Sequence, residues 1–441
     1  MPGKQTHPQK HDDLRQLRVD FMSTFTFLHA ADLHLDSPLK GLESYPDAPV
    51  EQIRNASRRA LDNLVDLAVE EEAAFVLLAG DVFDGPWRDF NTALFFAQRM
   101  GRLREAGIRV FLVTGNHDAA STISKNLSPP DNVRILRQSA PETVHLQDLG
   151  VSIVGQGYPQ RDVREDLAAG YPPAQPGCCT IGLLHTALTG RAGHESYAPT
   201  RPETLAAKGY AYWALGHVHQ REIVSRDPWI VFPGAVQGRH IREDGPKGCC
   251  VVRVEEGRIK EVKHQDLDVL RWRLCPIDLA GCDCAEHLWT AVRQELEAAL
   301  DAAEGRPVAV RLELSGRSPL HTWLHDQAQQ IEEECRTRAV GLGDIWLEQI
   351  RLQTRPLYES AAELDPDAPL TRLLQTIQDL HLPRDCQVQA PELADLLSKL
   401  PPEIHGSEAG FDLDDPEGLR QLQDDVKELL LGRLLRQEGN V

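Results

Sequence analysis

Short apolar runs of strand length alternate with longer amphipathic stretches along the first half of the chain. Apolar residues that recur every three or four positions predict a helix, whereas compact apolar runs predict buried strands. The alternation predicts parallel strands with helices packed outside them. The predicted strands are Thr26–Ala31, Phe75–Ala79, Val110–Thr114, Val151–Gly155, Thr180–Leu184 and Tyr212–Leu215, and the predicted helices are Val50–Glu72 and Asn91–Ala106.

After His185 the pattern becomes rich in β-strands, with glycine turns between them. This pattern is typical of antiparallel pairs. The predicted strands here are Gln220–Ser225, Trp229–Phe232, Gly248–Val254 and Ile259–Gln265. Together with the first segment they predict an α/β fold, a four-layer α-β-β-α sandwich of two sheets packed face to face and flanked by helices.

A second unit follows, with the order strand, helix, strand, helix, strand. This order predicts a small α+β domain. The predicted elements are Leu270–Pro276, Cys284–Ala303, Pro307–Leu314, Leu320–Arg338 and Ile345–Thr354.

These elements divide the chain into four regions. Residues 1–22 are predicted to be a disordered N-terminal tail, 23–268 the α/β domain and 269–355 the small α+β domain. Residues 356–441 form an acidic, helical C-terminal region. Its last helix, Leu419–Leu435, carries one apolar stripe, which predicts docking onto the protein's own body or presentation to a partner's helices.

Length and charge narrow the class of protein. The 441 residues suit two or three domains. The formal charge is −20, and residues 356–441 carry 18 acidic and 7 basic side chains, so this region accounts for −11 and the rest for −9. Such acidity argues only weakly against a DNA substrate, because affinity for DNA depends on local phosphate contacts.

The sequence predicts a cytoplasmic protein. No run of 18 apolar residues is present, which excludes a membrane span, and the N-terminal region lacks the apolar segment of a secretory signal. The nine cysteines contain no Cys-x-x-Cys motif and no disulfide-like spacing, which indicates buried thiols in a reducing compartment.

Five polar clusters follow predicted strands, and they supply carboxylate, amide and imidazole groups. Taken singly, each has an ordinary explanation as a surface loop or a core histidine. Their joint order favours a hydrolytic centre with two adjacent divalent metals. The clusters are Asp32-Leu33-His34, Gly80-Asp81-Val82-Phe83-Asp84, Gly115-Asn116-His117-Asp118, His185 and Gly216-His217-Val218-His219.

Individual residues suggest roles in such a centre. Asp32 and His34 stand two apart at a strand end, where strand alternation would point both side chains the same way. Asp81 follows Gly80, which gives the backbone room to turn, and its two carboxylate oxygens can bridge two metals.

The later clusters complete the predicted set. Asn116 offers a neutral amide oxygen, and His185, His217 and His219 offer imidazole nitrogens. His117 lies too far around its turn to be a natural ligand and is better suited to donate a proton.

The clusters resemble the calcineurin-like metallophosphoesterase superfamily over Met22–Asp268. Within it, the chain resembles the DNA repair exonucleases of the SbcD and YhaO type. The stretches that carry this resemblance are His29–Asp36 (HAADLHLD), Ala79–Asp84 (AGDVFD), Phe232–His240 (FPGAVQGRH), Glu243 with Gly245–Gly248 (GPKG), and Gly316–Leu320 (GRSPL).

The resemblance implies a ligand set and a general acid. One metal would take Asp32, His34, Asp81 and His219, and the other Asp81, Asn116, His185 and His217. His117 would be the general acid and Asp84 the acid that orients it, a feature of the phosphatases. The family's usual metal is manganese, and the ligand types also suit iron and zinc.

The resemblance also implies a substrate and partners. We expect hydrolysis of DNA, with residues 269–355 as a cap that positions the substrate. We also expect a coiled-coil ATPase subunit as a partner and assembly of the chain into a homodimer. Two alternatives remain: a phosphatase or cyclic-nucleotide phosphodiesterase with the same metal ligands, and a scaffold that binds an ATPase with feeble hydrolysis. Basic candidates for phosphate contacts are Arg161, Arg191, Arg201, Arg239, Arg242 and Lys247.

Overall fold

A computed structural model describes most of the first 356 residues of the protein. The described residues are 24–37, 50–84, 90–120, 129–189 and 197–356, with isolated positions between 376 and 427. The predicted N-terminal tail and the predicted helix Leu419–Leu435 lie outside the described residues, apart from three isolated positions in that helix.

The described residues form strands, helices and two short 3₁₀ turns. The strands are β1 (Phe25–Ala30), β2 (Phe75–Leu78), β3 (Arg109–Leu112), β4 (Val133–Ile135), β5 (Glu142–Leu146), β6 (Val151–Gln156), β7 (Cys179–His185), β8 (Tyr212–Gly216), β9 (Glu222–Arg226), β10 (Trp229–Phe232), β11 (Gly248–Glu255), β12 (Arg258–Asp266), β13 (Arg271–Asp278), β14 (Val308–Arg317) and β15 (Ile345–Arg355). The helices are α1 (Val50–Glu70), α2 (Phe90–Glu105), α3 (Asn116–Ala120), α4 (Pro202–Ala206), α5 (Ala285–Ala303), α6 (His321–Asp326) and α7 (Ala328–Leu342), and the 3₁₀ turns are Leu167–Gly170 and Ile241–Glu243.

The first sheet has the strand order β12-β11-β1-β2-β3-β4. Strands β1 to β4 run parallel, joined through α1 and α2, as the alternation of strand and helix predicts. Strand β11 pairs antiparallel with β1 and with β12, so the chain returns to this sheet near its end. Strand β4 was not predicted, because three residues are too short for a readable apolar pattern.

The second sheet has the order β5-β6-β7-β8-β10-β9. Its centre, β6 to β8 with β10, is parallel, and β5 and β9 are antiparallel edge strands. The predicted antiparallel pair of β9 and β10 is therefore confirmed. Strand β5 was missed because most of its side chains are only partly buried, which leaves it without a strong apolar signal.

Apolar side chains from both sheets meet in one layer. Phe27 of β1 stacks on Phe75 of β2 with ring centroids 4.9 Å apart, and both belong to the same buried cluster as Ile181 and Leu183 of the second sheet. The central strands are buried on both faces, which explains their unbroken apolar runs.

The outer faces of the two sheets are covered differently. Helices α1 and α2 cover the first sheet, where Leu64 and Phe96 share a buried cluster with Leu28. Among the described residues, short segments cover the second sheet, including α4, whose Leu205 packs in a cluster with Trp213. The predicted α/β sandwich of two sheets is confirmed, with a thin fourth layer.

The C-terminal part of the described chain contains a three-stranded sheet of order β13-β14-β15. The predicted helix Leu320–Arg338 is in fact two helices, α6 and α7, because Gln327 between them leaves the helical conformation with φ −114° and ψ 28°. The protein divides into two compact units, and the continuously described part of the second comprises Pro276–Glu295, Leu312–Arg338 and residues 350–356. The predicted domain boundaries stay predictions.

No helix in the described ranges is long and apolar enough to cross a lipid bilayer. The described cysteines are free thiols.

Two buried hydrogen bonds join β1 of the first sheet to β8 of the second. His29 of β1 accepts a hydrogen bond at Nδ1 from the hydroxyl of Tyr212 on β8 (3.0 Å), and its Nε2 donates to the carbonyl of Leu215 (3.2 Å). Burial lowers the pKa of His29 to about 3, so the ring is neutral and the two bonds fix its tautomer.

We predict that Tyr212→Phe destabilises the fold. The substitution leaves His29 Nδ1 buried without a donor, which costs about 1–3 kcal/mol of unfolding free energy. Urea unfolding measures the loss. Tyr210→Phe is the matched control, because its hydroxyl donates to the carbonyl of the exposed Pro172, which water can reach. Equal losses in the two variants would contradict the prediction.

Candidate metal centre

The loops that leave β1 and β2 run side by side and carry the first acidic residues of the centre. The amide of Asp32 donates to the carbonyl of Gly80 (3.0 Å), and the amide of His34 donates to that of Asp81 (3.0 Å). Asp32, His34 and Asp81 have φ of 52°, 42° and 53°. The left-handed backbone is uncommon for such residues and clusters at functional sites.

This backbone corrects one step of the sequence argument. Strand β1 ends at Ala30, so strand alternation does not place Asp32 and His34. The left-handed backbone conformations of these two residues set the directions of their side chains instead. No sequence pattern predicts these conformations.

Two glycines allow the strand ends to approach one another closely. A Cβ on Gly80 would lie 2.5 Å from Nδ1 of His185, and one on Gly115 would lie 2.2 Å from Oδ1 of Asp81. Gly80 also has φ of 92°, which other residues rarely adopt. Any side chain at these positions would displace a residue of the centre.

The first cluster of potential ligands contains Asp32, His34 and His219, whose ligand atoms all lie within 4.8 Å of one another. Nε2 of His34 is 3.2 Å from Nε2 of His219, which in turn is 3.9 Å from Oδ1 of Asp32. These residues come from the ends of β1 and β8, in different sheets.

The second cluster contains Asp32, Asp81 and His185, again with ligand atoms within 4.8 Å. Nε2 of His185 is 3.4 Å from Oδ2 of Asp81 and 3.0 Å from Oδ1 of Asn116. Nδ1 of His185 donates to the carbonyl of Ala79 (2.9 Å), so the lone pair of Nε2 faces the cluster. Burial lowers the pKa of His185 to about 3, which keeps the ring neutral.

His217 contributes to this cluster through its backbone and its ring. Its amide donates to both carboxylate oxygens of Asp32, at 3.2 and 3.1 Å, and its ring lies edge-on to His185 with centroids 5.2 Å apart. The structure therefore brings all seven predicted ligand residues into one region.

Asp81 belongs to the second cluster and also lies close to His34 of the first. Its Oδ2 is 3.9 Å from Nε2 of His34 and 3.4 Å from Nε2 of His185, and its Oδ1 accepts the amide hydrogen of His117 (2.9 Å). A carboxylate oxygen within reach of a ligand from each cluster has the position that a bridging ligand needs.

The chemistry of these groups fits divalent metal ions. Two cis ligands bound at about 2.1 Å to one ion lie about 3 Å apart, which is close to the separation of the two Nε2 atoms. Burial raises the pKa of Asp32 to about 7, and burial also raises that of Asp81. Bound divalent cations would favour the ionised form of both buried carboxylates.

Glu243 holds His219 in place. Nδ1 of His219 donates to Oε1 of Glu243 at 2.7 Å, so Nε2 faces the first cluster. Glu243 is buried, and the carboxylate–histidine pair is the usual means of orienting an imidazole ligand. No local pattern indicates this role for Glu243, because its partner lies 24 residues away in the chain.

His117 and Asp84 form a second carboxylate–histidine pair at the edge of the centre. Nδ1 of His117 is 2.5 Å from Oδ1 of Asp84, whose Oδ2 accepts a hydrogen bond from Ser37. Burial by itself would lower the pKa of His117, but the hydrogen bond to Asp84 raises this pKa above its ordinary value. The side chain of His117 is 33% exposed, so a substrate can reach it.

The same ring lies near the first cluster. His34, Asp81 and His117 also offer ligand atoms within 4.8 Å, so geometry alone gives His117 either role. Asn116 and His117 begin the short helix α3 rather than lying in a turn.

Asp118 ties the two loops together, and the sequence did not indicate this role. Its carboxylate accepts hydrogen bonds from the amide of Phe83 (3.0 Å) and from that of Gly115 (3.1 Å). Burial raises its pKa to about 7, which marks a desolvated carboxyl.

The residues predicted to bind phosphate differ in their exposure to solvent. Arg161, Arg201 and Arg242 are exposed, and Arg191 lies outside the described residues. Lys247 is buried and donates to the carbonyl of Asp244 (2.9 Å). Arg239 contacts Asp84 and Glu243.

Comparison with known proteins agrees with this geometry. The family of calcineurin-like phosphoesterases matches residues 25–221, and the middle domain of the metallophosphoesterase YhaO matches residues 272–355. The uncharacterized metallophosphoesterase YhaO of Bacillus subtilis (strain 168) is 37% identical over 332 residues, which cover 71% of this chain and 80% of that protein. The chain belongs to the calcineurin-like metallophosphoesterases, in the YhaO family.

Two more distant relatives are both described as the DNA double-strand break repair protein Mre11. That of Methanopyrus kandleri is 27% identical over 297 residues, covering 60% of this chain and 62% of the relative. That of Sulfurisphaera tokodaii is 26% identical over 234 residues, covering 52% and 57%. The matches span about three fifths of the Mre11 proteins. This chain therefore shares the calcineurin-like metallophosphoesterase fold with these relatives.

We predict that Asp81→Ala abolishes tight binding at both metal positions, because both lose the shared carboxylate. Titration of the metal-free protein with Mn²⁺ should give about two ions per chain for the unmodified protein, and affinity should fall at least about tenfold at each in the variant. The control is Asp148→Ala, which removes an exposed carboxylate paired with Arg109. A variant that still held two ions with unchanged affinity would refute the bridge.

Proposed function

We propose that this metallophosphoesterase is a metal-dependent phosphodiesterase that acts on DNA, as a repair-type exonuclease. The observation that carries the proposal is the position of Asp81. One of its carboxylate oxygens lies within 3.9 Å of a histidine nitrogen from each ligand cluster, and the His117–Asp84 pair lies beside the clusters at the accessible edge. This arrangement suits in-line hydrolysis of a phosphate ester.

Two bound divalent cations would supply hydroxide near neutral pH and neutralise the charge of the phosphate. The chain's own residues supply the rest. His117 would donate a proton to the departing sugar oxygen, because its ring is accessible and is oriented by the contact of Nδ1 with Asp84, which also raises its pKa. Asp84 accepts the hydrogen of Nδ1, which leaves Nε2 to face the substrate.

The ligands proposed for one metal are Asp32, His34, Asp81 and His219, and for the other Asp81, Asn116, His185 and His217. The mixture of oxygen and neutral imidazole ligands supports manganese and suits iron and zinc as well. The burial that keeps His34 and His185 neutral supports this assignment, because a neutral imidazole can bind metal at neutral pH.

DNA is the proposed substrate because two relatives are named as DNA double-strand break repair proteins. The function of residues 269–355 as a cap over the substrate stays a prediction, as do a homodimer and a cytoplasmic location.

One observation favours a second candidate, a phosphatase or cyclic-nucleotide phosphodiesterase. The carboxylate of Asp84 lies only 2.5 Å from Nδ1 of His117, the proposed acid. A carboxylate that orients this histidine is a feature of the phosphatases that the chain resembles. Both candidates keep the same ligand set, so a comparison of substrates must separate them.

We predict that the purified protein with Mn²⁺ degrades labelled single- or double-stranded DNA, and that His117→Ala slows this by roughly 10²–10⁴-fold. The loss should be much smaller on bis(4-nitrophenyl) phosphate, because nitrophenolate departs without needing a proton. Both substrates are measured at saturating concentration, with metal content determined for each variant. His287→Ala, an exposed histidine on α5, is the control.

Three outcomes count against the proposal. Equal losses on the two substrates would remove His117 from the role of acid. Loss of metal in His117→Ala would make it a ligand instead. Rapid hydrolysis of phosphate monoesters or cyclic nucleotides, with intact DNA left untouched, would favour the second candidate.

We also propose a coiled-coil ATPase as a partner, supported by the apolar stripe of Leu419–Leu435 in the sequence. Deletion of residues 410–441 should abolish co-purification with that ATPase and leave hydrolysis of bis(4-nitrophenyl) phosphate unchanged. Retained binding after the deletion would refute this role for the stripe.

A further inference from the structure

Arg239 lies between the two carboxylate–histidine pairs of the centre. It follows β10 and precedes the 3₁₀ turn Ile241–Glu243. Its amide donates to Oε2 of Glu243 (2.7 Å), and its Nη2 donates to Oε1 of the same carboxylate (3.0 Å). The side chain is only 17% exposed, so one carboxylate anchors a largely buried cation.

The other two nitrogens of the guanidinium are not hydrogen-bonded in this way. Nη1 lies 3.6 Å from Oδ2 of Asp84, which is longer than a hydrogen bond. Nε is buried and has no hydrogen-bond partner among the described residues. Nη2 lies 3.3 Å from Nδ1 of His219, but that nitrogen donates its hydrogen to Glu243 and cannot accept another.

The two carboxylates do not require this cation to be satisfied. Asp84 already accepts hydrogen bonds from His117 and Ser37, and Glu243 accepts from His219. A guanidinium has five donors, and burying it with several of them unused costs free energy. An anion that accepted hydrogen bonds from the terminal nitrogens would recover part of that cost.

Phosphate is the anion that this position suits. Asp84, which lies next to Nη1, is also the partner of His117. Nη1 therefore lies near the group proposed to protonate the leaving oxygen. A planar guanidinium matches two oxygens of a phosphate group, which the compact ammonium of lysine does not.

We propose that Arg239 binds the non-bridging oxygens of the phosphodiester that is hydrolysed. This inference rests on the proposed function only in taking the substrate to be a phosphodiester, and it does not require DNA. The competing explanation is that Arg239 merely holds Glu243, and through it His219, in position.

The test compares Arg239→Gln and Arg239→Lys with the unmodified metal-loaded protein. The glutamine keeps a polar side chain and loses the charge, whereas the lysine keeps the charge and loses the fork. The substrate is bis(4-nitrophenyl) phosphate, and inorganic phosphate is the competing ligand. Arg258→Gln, an exposed arginine at the start of β12, is the control.

We expect Arg239→Gln to raise KM and the inhibition constant of inorganic phosphate by roughly 10- to 100-fold, as the loss of a charge-assisted hydrogen bond implies. Arg239→Lys should recover part of this affinity. Metal content should match that of the control. Calorimetric titration of inorganic phosphate into the metal-loaded protein gives the same comparison without turnover.

Unchanged affinity for phosphate in a fully metal-loaded Arg239→Gln would overturn the inference. So would a variant that lost metal affinity and regained normal phosphate affinity at saturating metal, because Arg239 would then act only through His219. Failure of the DNA proposal is distinguishable. If the unmodified protein leaves DNA intact, yet the Arg239 variants bind phosphate weakly, the DNA substrate is wrong and the phosphate site stands.

Discussion

The whole centre depends on one shared carboxylate at the point where two strand ends meet. Asp81 can lie close to histidines of both clusters because β1 and β2 are adjacent parallel strands, whose carboxyl ends meet at one edge of the sheet. Gly80 and Gly115 leave no side chain in the space that Asp81 and its neighbours occupy. The backbone at Asp81 is left-handed and uncommon, so the surrounding loops must hold it in place.

Two further carboxylates fix the imidazoles around that point. Glu243 and Asp84 each accept a hydrogen from Nδ1 of a histidine, so Nε2 is the nitrogen that faces the reaction. One pair orients a proposed metal ligand and the other a proposed acid. The same device therefore serves two chemical purposes, and Arg239 lies within reach of both carboxylates.

The sequence predicted the strands and the polar clusters that follow them because both are local signals. Apolar runs such as Phe75–Ala79 reveal a buried strand, and parallel strands place the residues after them on one edge. Residues whose importance comes from distant contacts were missed. Glu243 acts through His219, and Asp118 acts by joining the loops of Phe83 and Gly115, and neither role has a local pattern.

The balance of charge within the centre explains how so acidic a protein can attract a phosphate. Four carboxylates and one guanidinium lie at the centre, namely Asp32, Asp81, Asp84, Glu243 and Arg239. With all four carboxylates ionised and the imidazoles neutral, their sum is about −3, and two divalent cations would change it to about +1. A phosphodiester would then meet a positive site on a chain whose formal charge is −20. Because the sign of the local field depends on the bound metals, the metal-free protein should repel the same anion. Substrate affinity and metal occupancy would then be linked, so that a change that weakens one weakens the other.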